Sequence, residues 1–140
     1  MEADYDVIIL GAGAAGLAAG LYTTRAMMKT LILESIGPGG QLLITDEIEN
    51  YPGFAQGIGG AELADAMRVH AERSDVEILP AQAVTGISAQ GDYKMVTTES
   101  GDEYCGRAML LTPGATYRRL NVPGEEDLIG AGIHFCATCD

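Results

Sequence analysis

The chain has 140 residues, a length suited to one domain, and 47% of them are hydrophobic, enough to build a core. Its net charge of −12 argues against nucleic acid or an anionic membrane surface as a partner. Three cysteines cannot form a disulfide framework, and 19 scattered glycines argue against a helical bundle, a collagen or a flexible linker.

Met1 to Asp6 is acidic, whereas a secretory leader starts basic, so a cytoplasmic protein is expected. Val7-Ile8-Ile9-Leu10 is a short apolar run that predicts a strand buried on both faces. Gly11-Ala12-Gly13-Ala14-Ala15-Gly16 follows, and a helix is predicted from there to about Met28, with Leu17, Ala18 and Leu21 among its apolar positions. The stretch Val7 to Tyr22 is too rich in Ala and Gly to make a good membrane span. Thr30 to Glu34 predicts a second buried strand, ending on an acid. The loop from Ser35 to Pro52 carries Gly37-Pro38-Gly39-Gly40. Residues 61–74 predict an amphipathic helix with Leu63, Met67 and Ala71 on one face, and Val76 to Leu79 a further strand closed by Pro80.

The texture then changes. Ala83 to Ser88, Tyr93 to Thr98 and Glu103 to Leu111 read as short strands, with turn signals at Gln90-Gly91-Asp92 and Ser100-Gly101-Asp102. The expected fold is α/β: a Rossmann-like βαβ unit with a parallel sheet, plus a small antiparallel three-stranded meander. Thr112 to Ala115 closes the meander, and Asn121-Val122-Pro123-Gly124 reads as a linker.

Gly11-x-Gly13-x-x-Gly16 gains its meaning from context: it follows a buried strand, opens a helix, and precedes Glu34 at the end of the next strand. Gly11 permits a tight turn, Gly13 lets the backbone approach a pyrophosphate, and Gly16 lets helix and strand pack closely. The helix start offers free N–H groups and a positive dipole end. Glu34 can accept hydrogen bonds from ribose hydroxyls and would repel a 2′-phosphate, which leaves FAD or NAD as the ligand. The motif's place at the start of the chain, Gly20 one turn further on, and the long loop with Gly39-Gly40-Gln41 favour FAD.

Cys136-Ala137-Thr138-Cys139-Asp140 has the spacing of a redox pair. Two thiols so placed close a small, easily reduced ring, and Asp140 can shuttle a proton to or from a thiolate. A zinc site needs four ligands, and only His134 is close in sequence, with Cys105 remote, so no metal is expected. A flavin site beside a redox dithiol implies electron transfer from flavin to disulfide and on to an external partner.

These residues together resemble bacterial-type, low-molecular-weight thioredoxin reductase. The resemblance spans the chain: the glycine loop, Gly39-Gly40-Gln41-Leu42, Glu49-Asn50-Tyr51-Pro52-Gly53, Thr112-Pro113-Gly114-Ala115, Val122-Pro123-Gly124-Glu125 and Cys136-Ala-Thr-Cys-Asp140. It implies that Gly11, Gly13, Ala14, Ala15 and Gly16 hold the pyrophosphate. It implies that the segment from Glu34 and Ser35 to Gly39, Gly40 and Gln41 wraps ribose and pyrophosphate. Thr45 and Asn50 would lie near the flavin ring, Ala83 would give adenine a backbone contact, and Thr112 to Gly114 would run along the cofactor. Cys139 would face the flavin with Cys136 as partner, and Asp140 would donate or accept protons. NADPH would be the reductant, thioredoxin the acceptor, and the assembled enzyme a homodimer.

There are departures. Pro113 stands where relatives usually carry Thr, and relatives are much longer. Their second glycine-rich unit, which holds NADPH, and their returning C-terminal segment have no counterpart here. The expectation is therefore an N-terminal portion, incomplete against the two-domain flavoprotein. Residues 1–117 would belong to the FAD domain, and residues 118–140 to the linker and the start of the NADPH/disulfide domain. Such a chain is not expected to turn over NADPH alone. The alternatives are a non-catalytic FAD-binding module and a dithiol oxidase that uses oxygen. Among the remaining residues, His70, Arg118 and Arg119 read as solvated, His134 as passive, and Cys105 as a small core residue. Met27, Met28 and Met67 read as core filler, and Glu125-Glu126-Asp127 as an exposed acidic turn.

Overall fold

The computed structural model describes residues 2–129 and 131–135. In chain order the elements are β1 (Tyr5–Leu10), α1 (Ala14–Arg25), β2 (Thr30–Leu33), a 3-10 turn (Gly40–Ile44), β3 (Glu47–Ile48), β4 (Ile58–Gly59), α2 (Gly60–Glu72), β5 (Glu77–Leu79), β6 (Val84–Gln90), β7 (Tyr93–Thr98), β8 (Glu103–Leu111) and α3 (Glu125–Leu128). The architecture is the expected α/β one, with a parallel-rich sheet carrying an antiparallel meander.

Strand β1 is central because both of its faces are apolar. Val7 and Ile9 pack with Leu17 of α1, Ile32 of β2 and Ala71 of α2. Ile8 and Leu10 point the other way and pack with Leu31, Leu33 and Val96 of β7. The period-two alternation of a strand thus serves two cores from one apolar run. Burial of each such side chain contributes roughly 1.5–3 kcal/mol.

The six-stranded sheet runs β5-β2-β1-β8-β7-β6. Strands β5, β2, β1 and β8 pair in parallel, while β8, β7 and β6 pair antiparallel. The meander is therefore continuous with the parallel strands. The first half of β8 pairs with β7 from Glu103 to Gly106, and the second half with β1 from Gly106 to Leu111. Gly106 is the joint, and a Cβ there would lie 2.9 Å from the Ile8 side chain.

Helix α1 lies close on the sheet because Gly20 carries no side chain: a Cβ would meet Ile32 Cδ1 at 2.7 Å. The helix ends at Arg25, earlier than its apolar pattern predicts. Met27 takes a left-handed φ of 62°, its N–H donates to Thr24 O (2.9 Å), and Met28 N–H donates to Thr23 O (3.1 Å). This is the Schellman end of a helix, with methionine at the position glycine usually fills. The turn also corrects the core-filler reading: Met27 is 91% exposed and Met28 43%.

A second correction falls on the acidic turn. Glu125 is buried, at 5% exposure, and its carboxylate accepts from Leu120 N–H (2.9 Å) and Asn121 N–H (2.7 Å). The Leu120 hydrogen bond, helped by that from Asn121, holds this carboxyl below the usual carboxylate range. Cys105 is buried, as a small core residue should be, and His70 is exposed. Among the described residues, no helix is long and apolar enough to cross a membrane.

Candidate functional site

The C-terminal ends of β1, β2 and β8 converge on the glycine loop. Gly11 has φ 107°, a conformation other residues adopt only with strain, and a Cβ there would overlap Thr112 O. A Cβ on Gly16 would overlap Gly11 O, so the first turn of α1 sits directly on the loop. Thr112 braces this arrangement from β8. Its hydroxyl donates to Leu10 O and Gly11 O, both at 3.0 Å, and its N–H donates to Leu10 O at 2.9 Å.

Helix α1 begins after Gly13 with no side-chain cap and no acid in its first turn. The amides of Ala14, Ala15 and Gly16 precede the first intrahelical donor, Leu17 N–H, which bonds Gly13 O at 2.9 Å. This helix start suits an anion. A second glycine loop lies against the first: Gly39 N–H donates to Ala12 O (2.9 Å), and Gly13 and Gly39 form a parallel bridge. A Cβ on Gly40 would stand 3.1 Å from Gly13 Cα, so this approach needs two bare backbones.

Glu34 follows β2 and faces the loop. Its Oε2 accepts from Ala12 N–H (2.7 Å), and its Oε1 accepts from Ile36 N–H (3.1 Å) and the Ser35 hydroxyl (3.2 Å). The acid is thus positioned by the backbone and by Ser35.

Two clefts open at this end of the molecule. The smaller, about 470 Å³, is lined by Gly11, Glu34, Ser35, Gln82, Ile87 and Pro113 among others. The larger, about 940 Å³, has Gln41, Thr45, Glu47 and Glu49 on one wall and Tyr117, His134 and Phe135 on another. Pro113 lines the first and Thr116 the second, so the segment after β8 runs from one to the other. Gln41 Nε2 donates to Ala115 O (2.7 Å) and fastens that segment to the 3-10 turn. An uncapped helix start, a strand-end acid and two clefts linked by one chain segment suit an extended ligand with a central anion and a hydroxyl-bearing end.

Most of the residues singled out from sequence meet here: Gly11, Gly13, Ala14, Ala15, Gly16, Glu34, Ser35, Gly39, Gly40, Gln41, Thr45 and Thr112. Asn50 and Gly114 are exposed beside them, outside the cleft linings. Ala83 is flanked by the lining residues Gln82 and Val84, and its carbonyl accepts from Glu99 N–H (2.8 Å). Cys136, Cys139 and Asp140 lie outside the described residues. Among the described residues, no cluster of His, Cys, Asp or Glu could hold a metal. Sequence reasoning missed Gln82, Ile87, Tyr117 and Phe135 as lining residues. Their only signal was adjacency to recognised segments.

Comparison with known proteins agrees with this geometry. The family described as pyridine nucleotide-disulphide oxidoreductase matches residues 5–140. A thioredoxin reductase of Treponema pallidum (strain Nichols) is 44% identical over 140 residues, covering 100% of this chain and 45% of the relative. A bifunctional thioredoxin reductase/thioredoxin of Mycobacterium leprae (strain TN) is 45% identical over 139 residues, covering 99% of this chain and 30% of the relative. The crystal structure of thioredoxin reductase from Streptococcus pyogenes MGAS5005 superposes with a TM-score of 0.88 at 43% identity, covering 97% of this chain and 44% of that one. The chain thus spans less than half the length of these relatives and corresponds to their N-terminal portion.

Proposed function

Because the chain belongs to the pyridine nucleotide-disulphide oxidoreductase family, we propose that it binds FAD and serves as the flavin- and disulfide-bearing portion of a thioredoxin-disulfide reductase. The observation that carries this reading is a pair of clefts linked by the segment from Pro113 to Thr116. One lies at Glu34, and the larger lies beside Phe135, the residue before Cys136. An adenosine end, a diphosphate and a ring system suit that succession. The M. leprae relative, described as thioredoxin reductase joined to thioredoxin, supports thioredoxin as the partner.

FAD bound here would supply two-electron chemistry between a nicotinamide and a disulfide. The chain's own residues do the rest. The amides of Ala14, Ala15 and Gly16 bind the diphosphate, and the bare backbones of Gly11, Gly13, Gly39 and Gly40 admit it. Glu34, with Ser35 beside it, accepts from ribose hydroxyls and repels a 2′-phosphate. Ala83 contributes backbone near adenine, and Gln41 and Thr112 to Gly114 hold the cofactor's length. Thr45 and Asn50 border the ring.

Reduction of the Cys136–Cys139 disulfide breaks its S–S bond and yields two thiols for two electrons and two protons. Asp140 holds or releases one of those protons. One thiolate then attacks the thioredoxin disulfide to give a mixed disulfide. The other displaces it, re-forming Cys136–Cys139 and releasing the thioredoxin dithiol. Residues 1–117 form the FAD domain and 118–140 the linker and redox segment. In the longer enzyme NADPH is the electron source and the protein a cytoplasmic homodimer.

The test is a titration of FAD with purified chain, followed by flavin fluorescence. Quenching that saturates is expected. Glu34→Gln, which removes a charged acceptor, should weaken binding about 10- to 100-fold. A folded chain that leaves FAD fluorescence unchanged contradicts the proposal, and so does equal affinity for the variant.

A further inference from the structure

Strand β6 carries a register shift beside the smaller cleft. Val84 pairs with Thr98 and Gly86 with Thr97, so β6 advances two residues where β7 advances one, and Thr85 is the extra residue. This is a β-bulge, and the Thr85 hydroxyl donates to Thr97 O at 3.3 Å beside it. The start of the strand is tied on both sides. Gln82 N–H donates to Glu34 O, and Glu99 N–H donates to Ala83 O, each at 2.8 Å.

The bulge decides which way Ile87 points. Residues opposite each other on paired strands share a face. Val84 stands opposite Thr98 and Ile87 opposite Val96. Thr98 and Val96 are alternate residues of β7, 2% and 0% exposed. Val84 and Ile87 are therefore on one face, whereas an unbroken strand would send residues three apart to opposite faces. That face is the core one, because Val84 packs against the cluster that holds Leu10, Leu33 and Val96. Ile87 is nevertheless 54% exposed, and it lines the smaller cleft together with Leu111, Glu34 and Ser35. The bulge thus turns an apolar side chain inward and leaves half of its surface to the cleft.

We propose that Ile87 is a base-binding residue: the bulge at Thr85 aims it so that its side chain packs on the planar purine ring of the ligand whose ribose Glu34 holds. The inference rests on the FAD reading and adds a side chain to it, since Ala83 offers adenine only backbone. Covering the rest of a half-exposed isoleucine favours a ligand that carries the ring by about 3- to 10-fold.

The test uses the whole chain with ADP, which carries base, ribose and diphosphate but no flavin. Isoleucine δ1 methyl groups are labelled with carbon-13, and the Ile87 signal is identified by its loss in Ile87→Val. ADP should move that signal upfield, because an aromatic ring shields a methyl group packed on its face. Ribose 5-phosphate, which has no ring, should leave it in place. Ile87→Ala should weaken ADP and FAD alike, about 3- to 10-fold. Ile87→Thr, which keeps a β-branched residue on the strand, should weaken both in the same direction, and it decides should Ile87→Ala unfold by circular dichroism.

An Ile87 signal unmoved by saturating ADP overturns the proposal, as does unchanged ADP affinity in a folded variant or a loss confined to FAD. FAD binding by the parent with Ile87 unmoved removes the base-binding role and leaves the function reading. An upfield shift with ADP and no binding of FAD removes the function reading and leaves the base-binding role. A folded chain that binds neither removes both.

Discussion

At the scale of single residues, the site is built from groups that satisfy the backbone first and a ligand second. Glu34 accepts from Ala12 N–H, and Thr112 bonds two carbonyls of the loop, so the backbone holds both. Tyr5 shows the same economy away from the site. Its hydroxyl donates to Glu77 Oε2 at 2.9 Å, and Lys29 Nζ stands 4.8 Å from its ring centroid. Burial, reinforced by the Glu77 hydrogen bond, pushes the Tyr5 phenol from its ordinary 10.0 to about 12. A raised pKa means that the folded chain holds this proton more tightly than the unfolded one. The resulting stability is complete below pH 10 and is lost as pH rises from there through about 12. Urea melts across this range should show that loss in the parent, and Tyr5→Phe should show a shallower one. Equal slopes would remove Tyr5 as the cause.

At the scale of elements, the legible parts were those written as local patterns. The runs Val7–Leu10 and Thr30–Leu33 announce buried strands, and Gly91 and Gly101 mark the hairpins at φ 61° and 90°. What stayed hidden depended on partners far along the chain. Nothing local in Glu103–Leu111 says that one half pairs with β7 and the other with β1. Glu125 looks like a surface acid until the chain turns back to give it two amides. The end of α1 was misjudged because a left-handed turn at a methionine has no composition signal. That end yields a prediction. Met27→Gly removes a strained conformation at a side chain that is 91% exposed, so little packing is lost. The substitution should stabilise the chain by about 1 kcal/mol, read as an unchanged urea slope with a higher midpoint. A lower midpoint would mean that Met27 makes contacts worth more than its strain.

For the whole molecule, the sheet and the glycine loop form one frame with two clefts at its end, and the linker returns to line the larger of them. The glycine loop, Glu34 and the Gly39-Gly40-Gln41 segment were legible because each follows a strand or opens a helix in sequence. The Tyr117–Phe135 wall was not, because two separated aromatics give no sign that they stack. FAD held in this frame is proposed to exchange electrons with Cys136–Cys139. The most direct measurement is an anaerobic reductive titration of the FAD-loaded chain with dithionite, beside the same chain carrying Cys136→Ser and Cys139→Ser. NADPH should reduce neither, since these 140 residues contain a single glycine-loop dinucleotide motif. Dithionite should deliver about two more electrons per flavin to the parent than to the variant, matched by the appearance of two thiols. Equal uptake by both chains, with the parent disulfide intact at the end, would rule out that exchange.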